Sequence, residues 1–418
     1  MAVIGLSILV ATLLALRQSV ILILLAAAAY THLIWGDGML VYLIEDLWAA
    51  MDNQVLLAIP MFIIAGAIMA RGSIAKRLIN IISAATSWLP GGMGLATIIS
   101  CALFAAVSGS SAATLLAIGA VMYPALLQAG YPNRFALGAI TSAGTLGIII
   151  PPSIPLIIYG IVTETNIIDL FVAGIIPGIL LTTGLGIYSM WSNRHMPRQP
   201  FSWGKLCQSI KHGAWSIVLP ILLLGGIYSG LFSPTEAAVV SLAYALFVDM
   251  IIYRELKLAD TFAIFKSTAQ MLGTLFPIIA VALSIKTLLA IEGVPQAFSL
   301  WLQDTVASKV AFLLLINLAL ILIGCLIDVI SAIMLLAPLL FIAAQAFGIH
   351  PVHFGIIMII NLEIGLLTPP IGLNLLVALT AFKQKFSEIS MAVLPFMAVM
   401  LVILMLVSFV PQLSLWLL

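Results

Sequence analysis

Two proline pairs interrupt apolar segments that are long enough to cross a lipid bilayer. Pro151-Pro152 lies within "GIIIPPSIPLII" and Pro369-Pro370 lies within "GLLTPPIGLNLL". Because proline lacks an N–H and disfavours α geometry in the preceding residue, each pair leaves nearby carbonyl oxygens without helical partners. Irregular backbone at membrane depth persists only where protein or a cavity surrounds it. The free carbonyls, with Thr, Ser and Gly beside them, are therefore predicted to coordinate an alkali cation.

Polar tips in two other apolar stretches offer the complementary chemistry. The stretch 94–129 contains "VSGSSAAT" near its middle, and the stretch 309–347 contains "LIDVISA". A helix needs about 20 residues to cross the hydrocarbon core, so the halves of each stretch are short for separate crossings. We predict two re-entrant hairpins, each entering and leaving the membrane on one side. A helix starts directly after each tip, and its unpaired N–H groups favour a carboxylate.

These features recur at a nearly constant spacing along the chain. Gly147 and Gly365, which open the two proline blocks, are separated by 365 − 147 = 218 residues. Pro60 and Pro277, far upstream of the two blocks, are separated by 277 − 60 = 217 residues. Each unit is predicted to cross the membrane an odd number of times, so the second must lie inverted relative to the first. Inverted-topology repeats with broken helices are typical of secondary transporters.

Composition places the chain among all-α polytopic membrane proteins. Of its 418 residues, 63% are hydrophobic and only 7% are charged, a balance that no soluble domain of this size could accommodate. The net charge of +1, without a basic run, predicts no nucleic-acid partner. The three cysteines are scattered, so we expect no disulfide, no transition-metal site and no cofactor. No nucleophile, base and orienting group converge in any segment, and an enzyme is not expected.

Apolar runs and loop charges predict the path through the membrane. The predicted crossings are 1–16, 18–35, 53–71, 132–162, 168–190, 214–231, 234–253, 270–290, 352–383 and 391–412. Amphipathic or connecting segments are predicted at 39–52, 74–90, 257–268 and 294–305. The loop 191–213 carries Arg194, Arg198, Lys205 and Lys211, which predicts that it faces the cytoplasm. Both termini then lie on the opposite, periplasmic side.

Two long blocks of the sequence resemble a known transporter family. They are "LFAAVSGSSAATLLAIGAVMYPALLQAGYPNRFALGAITSAGTLGIIIPPSIPLIIYG" and "HFGIIMIINLEIGLLTPPIGLNLLVA". Both are similar to the large membrane subunit, of the DctM or SiaM type, of the tripartite ATP-independent periplasmic (TRAP) transporters, and the similarity extends over nearly the whole chain. The resemblance implies sodium-driven import of a small organic anion, such as a C4-dicarboxylate or a sialic acid, across the bacterial inner membrane. It also implies two partners, a small four-helix membrane subunit and a soluble periplasmic binding protein.

The same resemblance implies an elevator mechanism, in which a transport domain slides against a scaffold fixed in the lipid. The first repeat would span 1–195, with scaffold helices in 1–90, a hairpin and broken helix in 92–162, and a helix at 168–190. A cytoplasmic linker would occupy 196–213. The inverted second repeat would span 214–418, with scaffold helices in 214–305, a hairpin and broken helix in 309–383, and a helix at 391–412.

Candidate site residues follow from the family's pattern, position by position. The first sodium site would use Ser108, Gly109, Ser110, Ser111, Gly147, Ile150 and Pro151. The second would use Asp328, Ser331, Gly365, Thr368 and Pro369. The organic anion would contact Ser110, Pro152, Ser153, Pro370 and Asn374. Several relatives carry an acidic residue where this chain has Thr114, so any role of that acidic residue in the relatives is not expected in this chain.

Two carboxylates lie deep in apolar sequence, and the sequence leaves their roles open. Asp328 either binds the second cation or orients its tip, and Glu363 is either functional or a structural partner of neighbouring backbone. A related anion symporter that works without a binding protein, typically as a homodimer, is the nearest alternative function. An ion channel is a second alternative, although the chain offers no ring of like charges for a filter.

Overall fold

Helices form every regular element of the part of the chain that the structure describes. The computed structural model describes residues 2–16, 18–36, 38–198 and 200–418. Met1, in the predicted first crossing, and Gln199, in the predicted linker, lie outside these ranges. The all-α prediction is confirmed for the described residues. The division into two inverted repeats and a scaffold stays a prediction.

The helices before the predicted linker follow the apolar runs of the sequence. They are α1 (Ala2–Ala15), α2 (Val20–Trp35), α3 (Leu40–Met51), α4 (Ala58–Arg71), α5 (Ile74–Thr86), α6 (Gly92–Ser108), α7 (Ser111–Gln128), α8 (Asn133–Gly144), α9 (Ile154–Thr163) and α10 (Ile167–Ser192). Short 3₁₀ turns precede α4 at Gln54–Leu57 and follow α8 at Thr145–Ile148. The predicted crossing 132–162 is thus two helices, α8 and α9, with the first proline pair between them.

The remaining helices begin at Trp203, inside the predicted linker. They are α11 (Trp203–Tyr228), α12 (Pro234–Leu246), α13 (Leu258–Ile291), α14 (Val294–Thr305), α15 (Lys309–Gly324), α16 (Val329–Ala346), α17 (Pro351–Gly365), α18 (Leu373–Phe382), α19 (Phe386–Phe409) and α20 (Gln412–Leu415). A π-helical segment, Phe247–Ile252, extends α12. The second proline pair separates α17 from α18, and both Pro–Pro peptide bonds are cis.

Eight helices within the described ranges are long and apolar enough to cross a bilayer by length and composition. They are Gln54–Arg71, Ser111–Gln128, Ile167–Ser192, Trp203–Tyr228, Pro234–Ile252, Leu258–Ile291, Val329–Ala346 and Phe386–Phe409. The chain is therefore a multi-pass membrane protein. Two of the eight, α7 and α16, are second arms of the predicted hairpins, so length alone leaves their re-entrant path a prediction.

Two predicted boundaries differ from the structure. The sequence predicts an amphipathic or connecting segment at 257–268 that is separate from a crossing at 270–290, but α13 is a single helix of 34 residues. No glycine or proline lies between Thr268 and Met271, so nothing ends the helix there, and Pro277 is accommodated inside it. Similarly, α11 begins inside the predicted linker 196–213, because the Ser202 hydroxyl caps it by accepting from the Lys205 N–H at 3.4 Å.

The N-terminal helices are attached to the rest of the molecule through α13. One large apolar core runs from α4 to α19, whereas Ala28 of α2 and Leu43 of α3 form a small separate cluster with Val281 of α13. Beside it, the Ser284 hydroxyl donates to Asp46 Oδ2 at 2.9 Å and lies 2.8 Å from His32 Nε2. Side chains that hydrogen-bond between membrane helices hold them together where apolar packing is thin.

Replacing Ser284 with alanine should therefore loosen α2 and α3. The hydroxyl serves both His32 and Asp46, and an interhelical hydrogen bond in a membrane protein is worth about 0.6 kcal/mol on average, so we expect a loss of about 1 kcal/mol. Thermal unfolding of the purified protein in detergent measures the effect. Ser267→Ala is the matched control, because the Ser267 hydroxyl bonds to the Ile264 carbonyl of its own helix. Equal melting temperatures for the two variants would contradict the prediction.

Candidate cation and substrate site

Hydroxyl groups organise the first tip, between α6 and α7. Gly109 takes a left-handed conformation (φ 59°), which glycine adopts without the penalty of a Cβ. Ser110 caps α7, its Oγ accepting from the Ala113 N–H at 3.5 Å. The Thr114 hydroxyl donates to the Ser110 carbonyl at 2.9 Å and lies 2.8 Å from Ser108 Oγ. Oxygens from three neighbouring residues are thus gathered within one turn of the tip.

The first break lies directly behind this tip. The Ile154 N–H donates to the Gly109 carbonyl at 3.3 Å. A Cβ at Gly147 would lie only 2.5 Å from the Ser110 carbonyl oxygen, so the two backbones are in close contact. Among the described residues, the carbonyl oxygens of Gly147, Ile150 and Pro151 accept no hydrogen bond. Free backbone oxygens are therefore present where the sequence predicts cation ligands.

The second tip is built on a carboxylate. Asp328 caps α16, its Oδ2 accepting from the Ser331 N–H at 3.0 Å. The second break docks on this tip through the Gly372 N–H, which donates to the Cys325 carbonyl at 3.1 Å. The cap accounts for one oxygen of Asp328, and the side chain is otherwise exposed. Tip orientation and cation binding are thus compatible roles for this residue.

Fewer of the predicted ligand carbonyls lack a hydrogen bond at the second break than at the first. Among the described residues, those of Thr368 and Pro369 accept no hydrogen bond, whereas the Gly365 carbonyl accepts from the Thr368 N–H at 3.0 Å. The Thr368 hydroxyl donates to the Ile364 carbonyl at 2.9 Å. A cation at this break would therefore find fewer unused oxygens from the broken helix and would depend more on the tip.

Both tips open onto one cavity of about 540 Å³. Residues 108–113 line it from the first tip and residues 328–331 from the second. The opposite wall comes from α4 and α13, through Ile63, Ala67, Met271, Thr274, Leu275 and Ile278. The positive ends of α7 and α16 point at this space, which favours an anion, while Asp328 adds a carboxylate that favours a cation.

The structure brings some predicted site residues to the cavity and keeps others behind its wall. Lining it are Ser108, Gly109, Ser110, Ser111, Asp328 and Ser331. Outside the lining are Gly147, Ile150, Pro151, Gly365, Thr368 and Pro369 of the predicted sodium sites, and Pro152, Ser153, Pro370 and Asn374 of the predicted anion site. Ser110 is thus the predicted anion ligand that reaches the cavity, and the sodium and anion roles stay predictions.

Two of the residues outside the lining differ sharply in how they are bonded. Ser153 is fully buried, and its hydroxyl donates to the Ile148 carbonyl at 2.5 Å while accepting from the Leu156 N–H at 3.3 Å. Asn374 is also fully buried, but neither atom of its amide has a partner among the described residues. A buried amide without hydrogen bonds is energetically unfavourable. The amide of Asn374 still has atoms free for further hydrogen bonds, whereas the Ser153 hydroxyl is already used as donor and acceptor.

Sequence reasoning missed three contributors. Thr114 was noticed as a departure from the family's pattern, yet it lies four residues after Ser110 and bonds to the tip; helical i, i+4 spacing could have indicated this. Thr274 lies on the cavity wall in α13, and because this helix carries several other hydroxyl side chains, the residue type alone is a weak signal. Thr145 was also missed, and its hydroxyl lies 2.7 Å from Glu363 Oε1. Glu363 thus contacts a side chain beside the first break, not neighbouring backbone.

Comparison with known proteins identifies the family. A family model described as "Tripartite ATP-independent periplasmic transporter, DctM component" matches residues 7–413. The chain belongs to this family. The family resemblance predicted from the two proline blocks is therefore confirmed.

Two individual relatives agree with this assignment, and a solved structure shares the fold. The "C4-dicarboxylate TRAP transporter large permease protein DctM" of Rhodobacter capsulatus is 39% identical over 387 residues, covering 88% of each chain. The "Isethionate TRAP transporter permease protein DctMQ" of Oleidesulfovibrio alaskensis is 35% identical over 93% of this chain and 62% of that protein. The YdaH transporter of Alcanivorax borkumensis shares the fold, with a TM-score of 0.60 and 15% identity over 90% of this chain and 89% of its own. This DctM-family chain is a transporter component and not an enzyme.

Adding a methyl group at Gly147 should disturb the first tip. A Cβ there would meet the Ser110 carbonyl at 2.5 Å, and such overpacking costs about 1–3 kcal/mol. We expect sodium to raise the melting temperature of the purified wild type, with choline replacing it at constant ionic strength, and Gly147→Ala to lose most of that rise. Gly225→Ala is the control, because a Cβ at Gly225 meets nothing within 4 Å. An undiminished sodium effect in Gly147→Ala would argue against a cation site at this break.

Proposed function

We propose that this DctM-family chain is the large membrane component of a sodium-coupled importer of a small organic anion, such as a C4-dicarboxylate, a sialic acid or a similar carboxylate. The observation that carries the proposal is the convergence of both tips on one cavity, each with a proline break behind it that holds unbonded carbonyl oxygens. Family membership supports transport. The names of two relatives, for a C4-dicarboxylate and for isethionate, support a small anion.

Sodium suits the oxygen groups that meet at each break. The first site draws on hydroxyls of residues 108–111 and carbonyls of the first break, and the second draws on Asp328, Ser331 and carbonyls of the second break. Sodium ions bound there balance the negative charge of the incoming anion. They also fix the two tips, so that the N-termini of α7 and α16 face the anion. Cation binding therefore precedes and favours anion binding.

An elevator motion requires two sets of helices that can slide past each other. Most interhelical side-chain bonds of the predicted scaffold stay within it, as for His32 with Ser284, Arg71 with Asp260 and Asp249 with Ser73. Those of the hairpins and broken helices stay within their set, as for Tyr159 with Pro351 and Glu363 with Thr145, or reach α19, as for Asn317 with Ser408. An ion pair joins the sets, with Lys286 Nζ of α13 lying 3.0 Å from Glu164 Oε1 at the end of α9. Few polar bonds would have to break for one set to slide.

Two protein partners and a membrane complete the proposal. A small four-helix membrane subunit and a soluble periplasmic binding protein would assemble with the chain, and the longer relative named DctMQ supports a companion membrane unit. The chain would lie in the bacterial inner membrane with the loop 191–213 in the cytoplasm and both termini in the periplasm. Exposed apolar side chains, including Ile221, Ile251 and Val402, would face lipid.

Uptake by the assembled transporter should require a sodium gradient. Proteoliposomes containing the chain, its small subunit and its binding protein are offered radiolabelled succinate, isethionate or sialic acid under a sodium gradient or a proton gradient alone. Ser110→Ala and Asp328→Ala should raise the half-saturating sodium concentration roughly tenfold, equivalent to about 1.4 kcal/mol. Ser308→Ala is the control, since Ser308 also caps a hairpin helix, accepting from the Ala311 N–H at 3.2 Å, but lies outside the cavity lining. Uptake driven by protons alone, or normal sodium dependence in both cavity variants, would refute the assignment.

Removing the ion pair between Lys286 and Glu164 should change the populations of the two end positions that the hairpins take in the proposed elevator motion. An exposed pair is worth about 0.2–1 kcal/mol, so Lys286→Ala should change the ratio of the two positions by up to about fivefold. Spin labels at Ile291 of α13 and Ala346 of α16, in a background without the exposed Cys207, report the distance between the sets.

Two controls define this measurement. Lys309→Ala removes a lysine whose ammonium donates to the Gly348 carbonyl within the second hairpin, and it should leave the distances unchanged. The charge-swapped double variant, Lys286→Glu with Glu164→Lys, should restore the wild-type distribution. Identical distances in wild type and Lys286→Ala would mean that the pair holds neither position.

A further inference from the structure

Thr145 and Glu363 occupy equivalent places beside the two breaks, and they touch. Their separation, 363 − 145 = 218 residues, equals that of Gly147 and Gly365. Thr145 Oγ1 lies 2.7 Å from Glu363 Oε1, and the 3₁₀ turn that begins with Thr145 packs on α17. The contact therefore joins the turn before the first proline pair to the helix before the second.

Burial makes this contact difficult to replace. Both side chains are fully buried, and Thr145 Oγ1 also lies 2.7 Å from the Ser142 carbonyl. Glu363 Oε2 has no partner among the described residues, so its side chain depends on Thr145 for its hydrogen bond. No water can substitute at a site without solvent, and loss of one partner leaves the other unsatisfied. The two side chains consequently fix each other's position.

On the first side, the contact continues to the first tip. Gly147 lies two residues beyond Thr145, and a Cβ there would be 2.5 Å from the Ser110 carbonyl oxygen and 2.8 Å from Thr114 Oγ1. Backbone and tip are thus packed without spare room, so a shift of the tip displaces the turn that carries Thr145.

From Glu363, the contact continues in a similar way to the second tip. Gly365 lies two residues beyond Glu363, and a Cβ there would be 2.7 Å from the Gly324 Cα, where α15 ends before the second tip. The packed path therefore runs from one tip through Thr145 and Glu363 to the other tip. Coupling between distant sites is carried by such contiguous contacts when both sites bias them.

We infer that the Thr145–Glu363 contact is a positioning bridge that couples the two cation sites, so that sodium at one break favours sodium at the other. This inference rests on the proposed sodium coupling. Neither residue lines the cavity, so the bridge acts through the breaks and not by touching the transported anion. Glu363, whose role the sequence leaves open, then serves both structure and transport.

Sodium titration of the purified chain's melting temperature, with choline holding ionic strength constant, tests the bridge. Thr145→Val removes the hydroxyl with little change of shape, and it should lower the Hill coefficient for sodium from near the number of sites towards one. It should also raise the half-saturating concentration by roughly three- to tenfold, the range of one hydrogen bond. Glu363→Gln keeps the shape and a polar group that can bond to Thr145, and it should stay close to wild type.

Matched variants separate the bridge from general damage. Thr141→Val removes a fully buried hydroxyl of α8, the helix before the turn that carries Thr145; this hydroxyl has no partner among the described residues, and its loss should leave sodium cooperativity intact. Thr145→Ser keeps the hydroxyl and should also preserve it. If Thr145→Val does not fold, Thr145→Ala replaces it in the comparison with Thr145→Ser. The double variant Thr145→Val with Glu363→Gln should match Thr145→Val alone, because the contact is already lost.

Each contrary outcome is distinct. Equal cooperativity in Thr145→Val and Thr141→Val would overturn the bridge, as would loss of cooperativity in Glu363→Gln alone. A double variant that loses more cooperativity than Thr145→Val alone would show a role of Glu363 outside this contact and would likewise overturn it. Absence of any sodium effect in the wild type would instead refute the proposed function on which the inference rests.

Discussion

Backbone groups cannot be left without partners in hydrocarbon, and this constraint governs the whole arrangement of the chain. Two helices are interrupted by proline pairs, so each interruption has to be enclosed by protein. The two tips do this enclosing, through the Ile154 N–H on the Gly109 carbonyl and the Gly372 N–H on the Cys325 carbonyl. Each tip is placed by the break it covers, and the cavity is the space that remains between the tips and the flanking helices.

The same constraint explains why oxygen atoms remain available at the breaks. Backbone N–H groups near the breaks find acceptors in the tips, but proline supplies no N–H, so carbonyls outnumber donors locally. The surplus is larger at the first break, with Gly147, Ile150 and Pro151, than at the second, where Thr368 and Pro369 contribute. Asp328 stands at the tip beside the poorer break. In the proposed cation sites, the negative character would therefore come mainly from backbone oxygens at the first break and from a carboxylate at the second.

Much of the fold could be predicted because its decisive features are local. Proline pairs, polar tips and apolar runs are visible over a few residues, and the spacing of 218 residues between the proline blocks relates distant segments. The continuity of α13 was not predicted, since helix ends in apolar sequence carry few signals without caps or glycines. The contributions of Thr145 and Thr274 also escaped prediction. Each depends on which surfaces meet in three dimensions, and a single sequence does not contain that information.

Pro60 and Pro277 correspond to each other in the predicted repeats, yet their effects on the two helices differ. Pro60 lies in the first turn of α4, where backbone N–H groups have no acceptor within the helix. Its missing N–H therefore removes no bond from α4. Pro277 lies well inside α13, where it deprives the Gly273 carbonyl of its helical bond, between the cavity wall at Thr274 and Lys286 beyond it. The missing proline N–H thus removes no helical bond from α4 but removes one from α13, and both helices line the cavity. A helix that lacks one internal bond bends more easily, so any bending of the cavity wall would occur first in α13.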